Sequence, residues 1–411
     1  MKLIWVICLL LLICTGNGLN KRATRRRVQH SLRKTSKTAL HSRLGGPDWA
    51  RRFVTQRKLG TLPTQASPPP VYVEADAQHP LTHVFVIDNG ILQGASDEID
   101  NGLSFGQRHD AAQAILLNIP GANTVESLTE TDGGATHGTK VAGQIVNEEH
   151  GYGVDAVLYE VKTTDPNGNF VVGTNGNSFR AAFQWVIDKV NGNLPGDNLA
   201  LEAACVIQVA IFETGAGTLP DTLLNALRQL RCPIILAAAP ENEDDPDNDN
   251  PVHTDGESVT YNQLDDFDAA IIVSAVGYYQ NQWIRRSNKD GARIDIYAPG
   301  LEVPDYTGTT VSGSSFASPY VTGYVAALLQ AIPELRTHQP SKDIPRLVKD
   351  IVLCTGTQIP GTSDYAMWDH IQGNGGIQSI RTCLQTPQQT QFRACLNQEF
   401  FSTSTTFRCQ Q

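Results

Sequence analysis

Between residues 82 and 330 the chain repeats one pattern, a short and almost wholly apolar run followed by a segment with helical spacing. The runs are "THVFVIDNG" (82–90), "AVLYEVKT" (156–163), "CVIQVAIF" (205–212), "PIILAAA" (233–239), "AAIIVSAVG" (269–277) and "RIDIYAPG" (293–300). They are dense in Val, Ile and Ala with little in–out alternation, which is what a strand covered on both faces requires. Helical patterns over about 137–147, 176–190, 219–231 and 315–330 alternate with them and provide the crossovers that parallel strands need. The expected fold is α/β, a mainly parallel central sheet flanked by helices in three layers. With 411 residues, core size does not limit such a fold.

The ends of the chain have a different character. Residues 1–18 place one Lys before an apolar run of about a dozen residues and close on small residues, the pattern of a signal peptide rather than of a span, which needs roughly 20. The expected product is secreted, extracellular and soluble, with no membrane contact after signal removal. Residues 21–60 hold 13 Lys and Arg against the single acid Asp48, whereas residues 61–411 hold 18 basic residues against 41 acids. A basic arm can meet nucleic acid, but an exported chain rarely does, so no nucleic-acid partner is expected. The pairs Lys21-Arg22, Arg26-Arg27 and Arg51-Arg52 look like sites for a dibasic-cleaving convertase. Residues 19–70, closing on the Pro-rich "LGTLPTQASPPP", are thus read as a trimmed propeptide and linker. Globular sequence is expected over 71–385, and a Cys-containing C-terminal tail over 386–411.

Six cysteines remain beyond the signal: Cys205, Cys232, Cys354, Cys383, Cys395 and Cys409. In an oxidising compartment they allow up to three disulfides, and their spacing matches no zinc pattern. A monomer is expected.

Three short stretches carry side chains suited to one reaction. In "VFVIDNG" Asp88 ends a buried strand, where α/β sheets build their sites. In "THGTKVAGQIV" His137 falls at a helix N-terminus, whose dipole is expected to lower the imidazole's pKa and keep it neutral, as a general base must be. In "GSSFASP" Ser315 is expected to open a helix, with Pro319 in the first turn, where an amide proton has no helical partner. Asp, then His, then Ser, each at a strand-to-helix junction, is one order in which nucleophilic triads recur.

On these residues the chain resembles the subtilisin-like serine peptidases (subtilases) over roughly 72–382. "HGTKVAG" fits the family's His motif, "GSSFASP" its Gly-Thr-Ser-x-Ala-x-Pro motif with Ser314 in the Thr place, and "VIDNG" its Asp motif except at Asn89. The resemblance implies a subtilisin-like fold and a serine endopeptidase acting on a protein or peptide substrate. Ser315 would be the nucleophile, His137 the general base and Asp88 the group that orients the ring. It requires no cofactor for the chemistry and allows structural calcium, for which the acidic run "ENEDDPDNDN" (241–250) offers oxygen ligands, although a solvated loop is the plainer reading.

The chain departs from the family pattern in three places. An oxyanion-binding Asn is expected after the strand "PIILAAA"; counting straight on puts Glu241 there, and Asn242 arrives with one inserted residue. The substrate rim, Ser-Leu-Gly-Gly in relatives, reads Ala210-Ile211-Phe212-Glu213. The pro-region is short and basic, unlike a compact chaperone domain. These departures set a second reading beside the first, an inactive subtilase-like module that binds protein. A third is a hydrolase of another class, such as an esterase.

Overall fold

The computed structural model describes residues 81–92, 104–105, 109–110, 136–147, 150–165, 172–173, 176–194, 199, 203–210, 219–238, 263–264, 270–279, 282–285, 294–359, 362–367, 374–386 and 389–400. All belong to the second of two units, 48–411; the first, 1–47, contains the expected signal peptide and lies outside the described residues.

Strand β1 (Thr82–Asp88) pairs in parallel with β2 (Ala156–Lys162) on one side and with β3 (Cys205–Val209) on the other. The same direction continues through β4 (Ile234–Ala237) and β5 (Ala270–Tyr279). A short β6 (Gln282–Arg285) folds back antiparallel on β5, and β7 (Ile296–Pro299) joins β5 in parallel. Four short segments, Ser104–Phe105 and His109–Asp110 beside β2, Tyr365–Ala366 beside β7 and Thr357–Gln358 beside Tyr365–Ala366, extend the sheet to eleven strands among the described residues. The mainly parallel three-layer α/β architecture expected from the apolar runs is the one observed.

Side-chain alternation assigns the two faces. Val84 and Val86 of β1 join one buried cluster, and Phe85 and Ile87 join the other. Helices α1 (Thr136–Val146) and α4 (Ser314–Ala331) cover the first face, while α2 (Ser178–Asn191) and α3 (Asp221–Arg228) cover the second. Helix α2 starts where the Asn177 side chain accepts the Arg180 amide (2.7 Å) and stops at Gly192, whose φ of 77° is left-handed. After β1 the chain first adds β2 on one side and later β3 on the other. The carboxyl ends of β1 and β3 therefore flank the point where strand order switches, the place where open α/β sheets hold their ligands.

Two disulfides are defined: Cys205–Cys232 joins the start of β3 to the turn before β4, and Cys383–Cys395 joins α6 (Asn374–Leu384) to α7 (Gln389–Phe400). Cys354 is disulfide-bonded as well. The segment from 386 contains α7, which buries Phe392 and Leu396 and sends Arg393 Nε (2.8 Å) and Gln389 Nε2 (3.0 Å) to the buried Asp350 of α5 (Ile344–Cys354). The helices α5, α6 and α7 lie beyond the alternating region. Helices α6 and α7 mix Thr, Gln and Arg among their apolar residues, whereas α5 carries a continuous stripe of Ile344, Leu347, Val348, Ile351 and Val352.

Candidate active site

Asp88 is the last residue of β1 and is 1% exposed. Its backbone carbonyl accepts from the Thr163 amide (2.9 Å) and hydroxyl (3.0 Å), which fixes the strand end against the residue after β2. Its Oδ1 accepts from the Asn89 amide (2.7 Å) and lies 2.9 Å from His137 Nδ1. Oδ2 is buried with no hydrogen-bond partner among the described residues, so the carboxylate is desolvated and held on one ring nitrogen.

His137 is the second residue of α1. Asn89, the one mismatch in the "VIDNG" stretch, has a visible part in placing it: Asn89 Oδ1 accepts the Gly138 amide (2.8 Å) and so caps α1 from another segment. Gly138 is required by contact. A Cβ there would lie 2.3 Å from the Gly90 carbonyl oxygen and 3.0 Å from Asp88 Cβ, so helix and strand end could not approach. Gly138→Ala is expected to push α1 off β1, reduce kcat/KM by about 10²-fold and destabilise by about 1–3 kcal/mol. Wild-type kinetics in a variant with unchanged melting would remove Gly138 from this role.

The helix dipole had suggested a lowered pKa for His137. The net direction is upward. Burial is the largest influence and disfavours the imidazolium, but the charge of Asp88 and the hydrogen bond to it together outweigh burial and the nearby Lys140, so the ring titrates above its ordinary 6.5. A dipole is a partial charge; a full carboxylate at hydrogen-bond distance in a dry site exceeds it.

Ser314 opens α4, one residue earlier than expected, and Ser315 follows. Pro319 stands as the sixth helical residue, inside the helix rather than in its first turn, and its missing N–H leaves the Ser315 carbonyl without its i+4 donor. The three serines separate by environment. Ser314 Oγ donates to the Ala238 carbonyl (2.6 Å) at the end of β4, and Ser318 Oγ accepts from Gln208 Nε2 (2.7 Å). Ser315 alone of the three is partly exposed; its Oγ donates to the Ala210 carbonyl (3.0 Å) just past β3. The next residue, Phe316, puts its ring 5.4 Å from that of His137, so the two helix starts face each other. Asp88 and His137 are thus in direct contact and Ser315 is at the adjoining helix start, with its hydroxyl on Ala210 rather than on the imidazole.

Gln208 was missed in the sequence, although a Gln inside "CVIQVAIF" is the kind of signal that asks for a partner. It is wholly buried in β3, donates to Ser318 and accepts from the Thr322 hydroxyl, locking α4 to the sheet below the serine turn. Gln208→Leu is expected to destabilise by about 1–3 kcal/mol for each hydroxyl left unpaired, read as a lowered urea midpoint. An unchanged midpoint would count against the network.

Asn242, Glu241, Phe212 and Glu213 lie outside the described residues, as does the acidic run 241–250. No group of three or more His, Cys, Asp or Glu suited to a metal ion occurs among the described residues. A buried carboxylate behind an imidazole, with a hydroxyl at the adjoining helix start, can draw a proton from that hydroxyl and return it to a leaving group.

Comparison with known proteins gives consistent matches. The sequence pattern of the subtilase family matches residues 81–375. Subtilisin DY from Bacillus licheniformis is 25% identical over 250 residues, covering 59% of this chain and 78% of that protein. An extracellular serine proteinase from Thermus sp. (strain Rt41A) is 26% identical over 279 residues, covering 65% of this chain and 56% of that protein. Among solved structures, a cold adapted subtilisin-like serine proteinase aligns with a TM-score of 0.50 at 18% identity, over 78% of this chain and 97% of that one. At that identity the likeness concerns the fold.

Proposed function

Because the chain belongs to the subtilase family, we propose that it is a secreted serine endopeptidase that cleaves peptide bonds through Ser315, His137 and Asp88. The observation that carries this reading is the 2.9 Å contact of His137 Nδ1 with a buried, otherwise half-unpartnered carboxylate, at the junctions where the switch point of the sheet opens.

With Nδ1–H given to Asp88, His137 presents Nε2 as the basic nitrogen. On substrate binding, rotation about the Ser315 Cα–Cβ bond moves the hydroxyl from the Ala210 carbonyl to Nε2. Oγ then attacks the scissile carbonyl while its proton passes to His137. The imidazolium is stabilised by Asp88 and protonates the leaving amine as the tetrahedral adduct collapses to an acyl-enzyme. Water, deprotonated by the same ring, hydrolyses the ester and restores Ser315. The developing oxyanion is assigned to the Ser315 amide at the start of α4 and to the Asn242 side chain; Glu241 in that place would repel it. The substrate is a protein or peptide, and the chemistry itself uses no cofactor. A propeptide removed after a dibasic site and a monomeric mature enzyme complete the proposal; structural calcium is allowed but not required.

The Ser315–Ala210 hydrogen bond favours a second reading, a protein-binding subtilase-like module in which the hydroxyl stays parked. A fluorophosphonate probe separates the two. The enzyme reading expects labelling of the purified, processed protein that disappears in Ser315→Ala. No labelling of correctly folded, processed protein overturns it.

A further inference from the structure

Between β7 and α4 the chain makes a small hairpin, Val303–Pro304 pairing antiparallel with Thr310–Val311, and two residues later it enters the serine turn. This hairpin lies along one face of α1, the helix that carries His137. Gln144 Nε2 donates to the Pro304 carbonyl (2.6 Å). A Cβ at Gly143 would stand 3.0 Å from Tyr306 Cβ, so the helix backbone packs directly against the Tyr306 side chain. Lys140 Nζ lies 3.2 Å from Oδ2 of Asp305. Positions 140, 143 and 144 share one helical face.

Asp305 is completely buried, and its Oδ1 accepts three hydrogen bonds, from the Thr307 amide (2.9 Å), the Thr307 hydroxyl (2.6 Å) and the Thr309 amide (3.1 Å). The hairpin tip is shaped around this carboxylate, with Gly308 in the left-handed region at φ 80°. One oxygen thus fixes the loop that leads into the nucleophile, and the other, which accepts no hydrogen bond among the described residues, faces the ammonium of the general base's helix as an ion pair. A surface ion pair would contribute little, but here one partner, Asp305, is fully buried and preorganised, and removing Lys140 would leave that buried carboxylate without its counter-charge.

We infer that Asp305 is a positioning residue for His137: through Lys140 it sets the distance between α1 and the serine turn and neutralises a cation one helical turn from the imidazole. Lys140 lies one turn from His137 and opposes its protonation, whereas Asp88 favours it; Phe316, on α4, contributes no charge. On the hairpin side Asp305 meets Lys140, Thr307 and Thr309, and His150 approaches only the tip, its Nε2 lying 3.7 Å from where a Cβ of residue 308 would sit. Burial is the largest influence on the Asp305 carboxyl and disfavours its charged form, but the hydrogen bonds from Thr307 and the Lys140 contact together outweigh it and hold the group below its usual range, so it stays charged wherever His137 titrates.

The inference rests on the peptidase reading for its kinetic arm and is independent of it in the other. In the processed full-length protein, Asp305→Asn is expected to lower kcat about tenfold with KM changed less than twofold, since misplacement rather than lost binding is the cause. It is also expected to move the acid limb of kcat/KM to lower pH, because Lys140 is then uncompensated; Lys140→Met in the same background should return that limb to its wild-type place. Unchanged kcat and an unmoved limb, with only the melting temperature lowered, would make Asp305 merely structural and overturn the inference. NMR titration of the His137 ring reads the same coupling without turnover. A lowered midpoint in Asp305→Asn supports it even if no peptidase activity exists, and an unshifted midpoint defeats it. Should Asp305→Asn not fold, Lys140→Met alone, altering a side chain 30% exposed, is expected to raise the ring's midpoint, and no change there is equally fatal.

Discussion

Ser315→Ala is expected to lower kcat by about 10⁶-fold while KM changes little and the protein melts as the wild type does; the size is that known for loss of the serine in a bacterial subtilisin. The physical case for so clean a separation lies in the environments of the three serines. Ser315 is the partly exposed one, and its hydroxyl contributes a single hydrogen bond to the Ala210 carbonyl. Ala210 is buried but Ser315 is partly exposed, so water can enter where its hydroxyl stood and replace the lost donor, and stability should change by less than about 1 kcal/mol. Ser314→Ala and Ser318→Ala should behave the other way. Each would strip a buried partner, the Ala238 carbonyl or the Gln208 amide, and lower stability by about 1–3 kcal/mol with activity per folded molecule retained within about tenfold. Steady-state rates and thermal melts on the three variants decide the matter. A Ser314 or Ser318 variant that is dead but stable would displace Ser315 as the nucleophile.

Asp88→Asn is the second large effect, with kcat expected to fall by about 10⁴-fold. Oδ1 serves both the Asn89 amide and His137, and Oδ2 has no partner among the described residues. A carboxamide oxygen can therefore take the Oδ1 place only by burying its NH₂ unpaired, and the reverse orientation presents a donor to Nδ1 and holds the wrong tautomer. Either way the charge that stabilises the imidazolium is gone.

The sign of the accompanying pH effect follows from the same contact. His137 is raised above 6.5 because Asp88's charge and hydrogen bond outweigh burial, so in the wild type the neutral base, and with it kcat/KM, appears only above that pH. Without Asp88's charge, burial and Lys140 remain, both disfavouring the imidazolium, and the midpoint drops below that of an ordinary histidine. Residual activity in Asp88→Asn should accordingly extend to more acidic solution than wild-type activity does. The fold responds oppositely. A raised pKa contributes stability while the ring is protonated, fully below the unfolded value and lost as pH rises through the folded one. The variant should thus lose a stability increment in acid that it does not lose at alkaline pH. An acid limb at the same pH in both proteins would detach His137 from Asp88 in the working enzyme.

Much of this was legible from one sequence because it is local. The Val/Ile runs specify β1 to β5 and β7, and the apolar spacing of "THGTKVAGQIV" and "YVTGYVAALLQ" specifies α1 and α4 to within a residue or two. A strand or helix is set by neighbours within a few positions, so its pattern is written contiguously. The spacing of Asp88, His137 and Ser315 on strand-to-helix junctions was equally visible, because each junction carries its own signature. The boundary of α4 was missed by one residue, and Pro319 lies beyond the first turn from either boundary, fifth from Ser315 and sixth from Ser314, because a proline is tolerated further in when packing compensates.

The remaining features depend on contacts between residues far apart in the chain. The direction of the His137 shift is set by a carboxylate 49 positions away, and a local dipole alone gives the wrong sign. Asn89 as the cap of α1, Gln208 as the tie beneath the serine turn, and the pairing of Cys205 with Cys232 have no expression in the spacing of their own segments. The Lys140–Asp305 contact joins an unremarked position of the His motif to a loop that carried no motif. The sequence by itself determined which elements form and which side chains stand at their ends. The packing of those ends determined hydrogen-bond partners and protonation, because energies of this kind change steeply over an ångström and no pattern along the chain records distances across it.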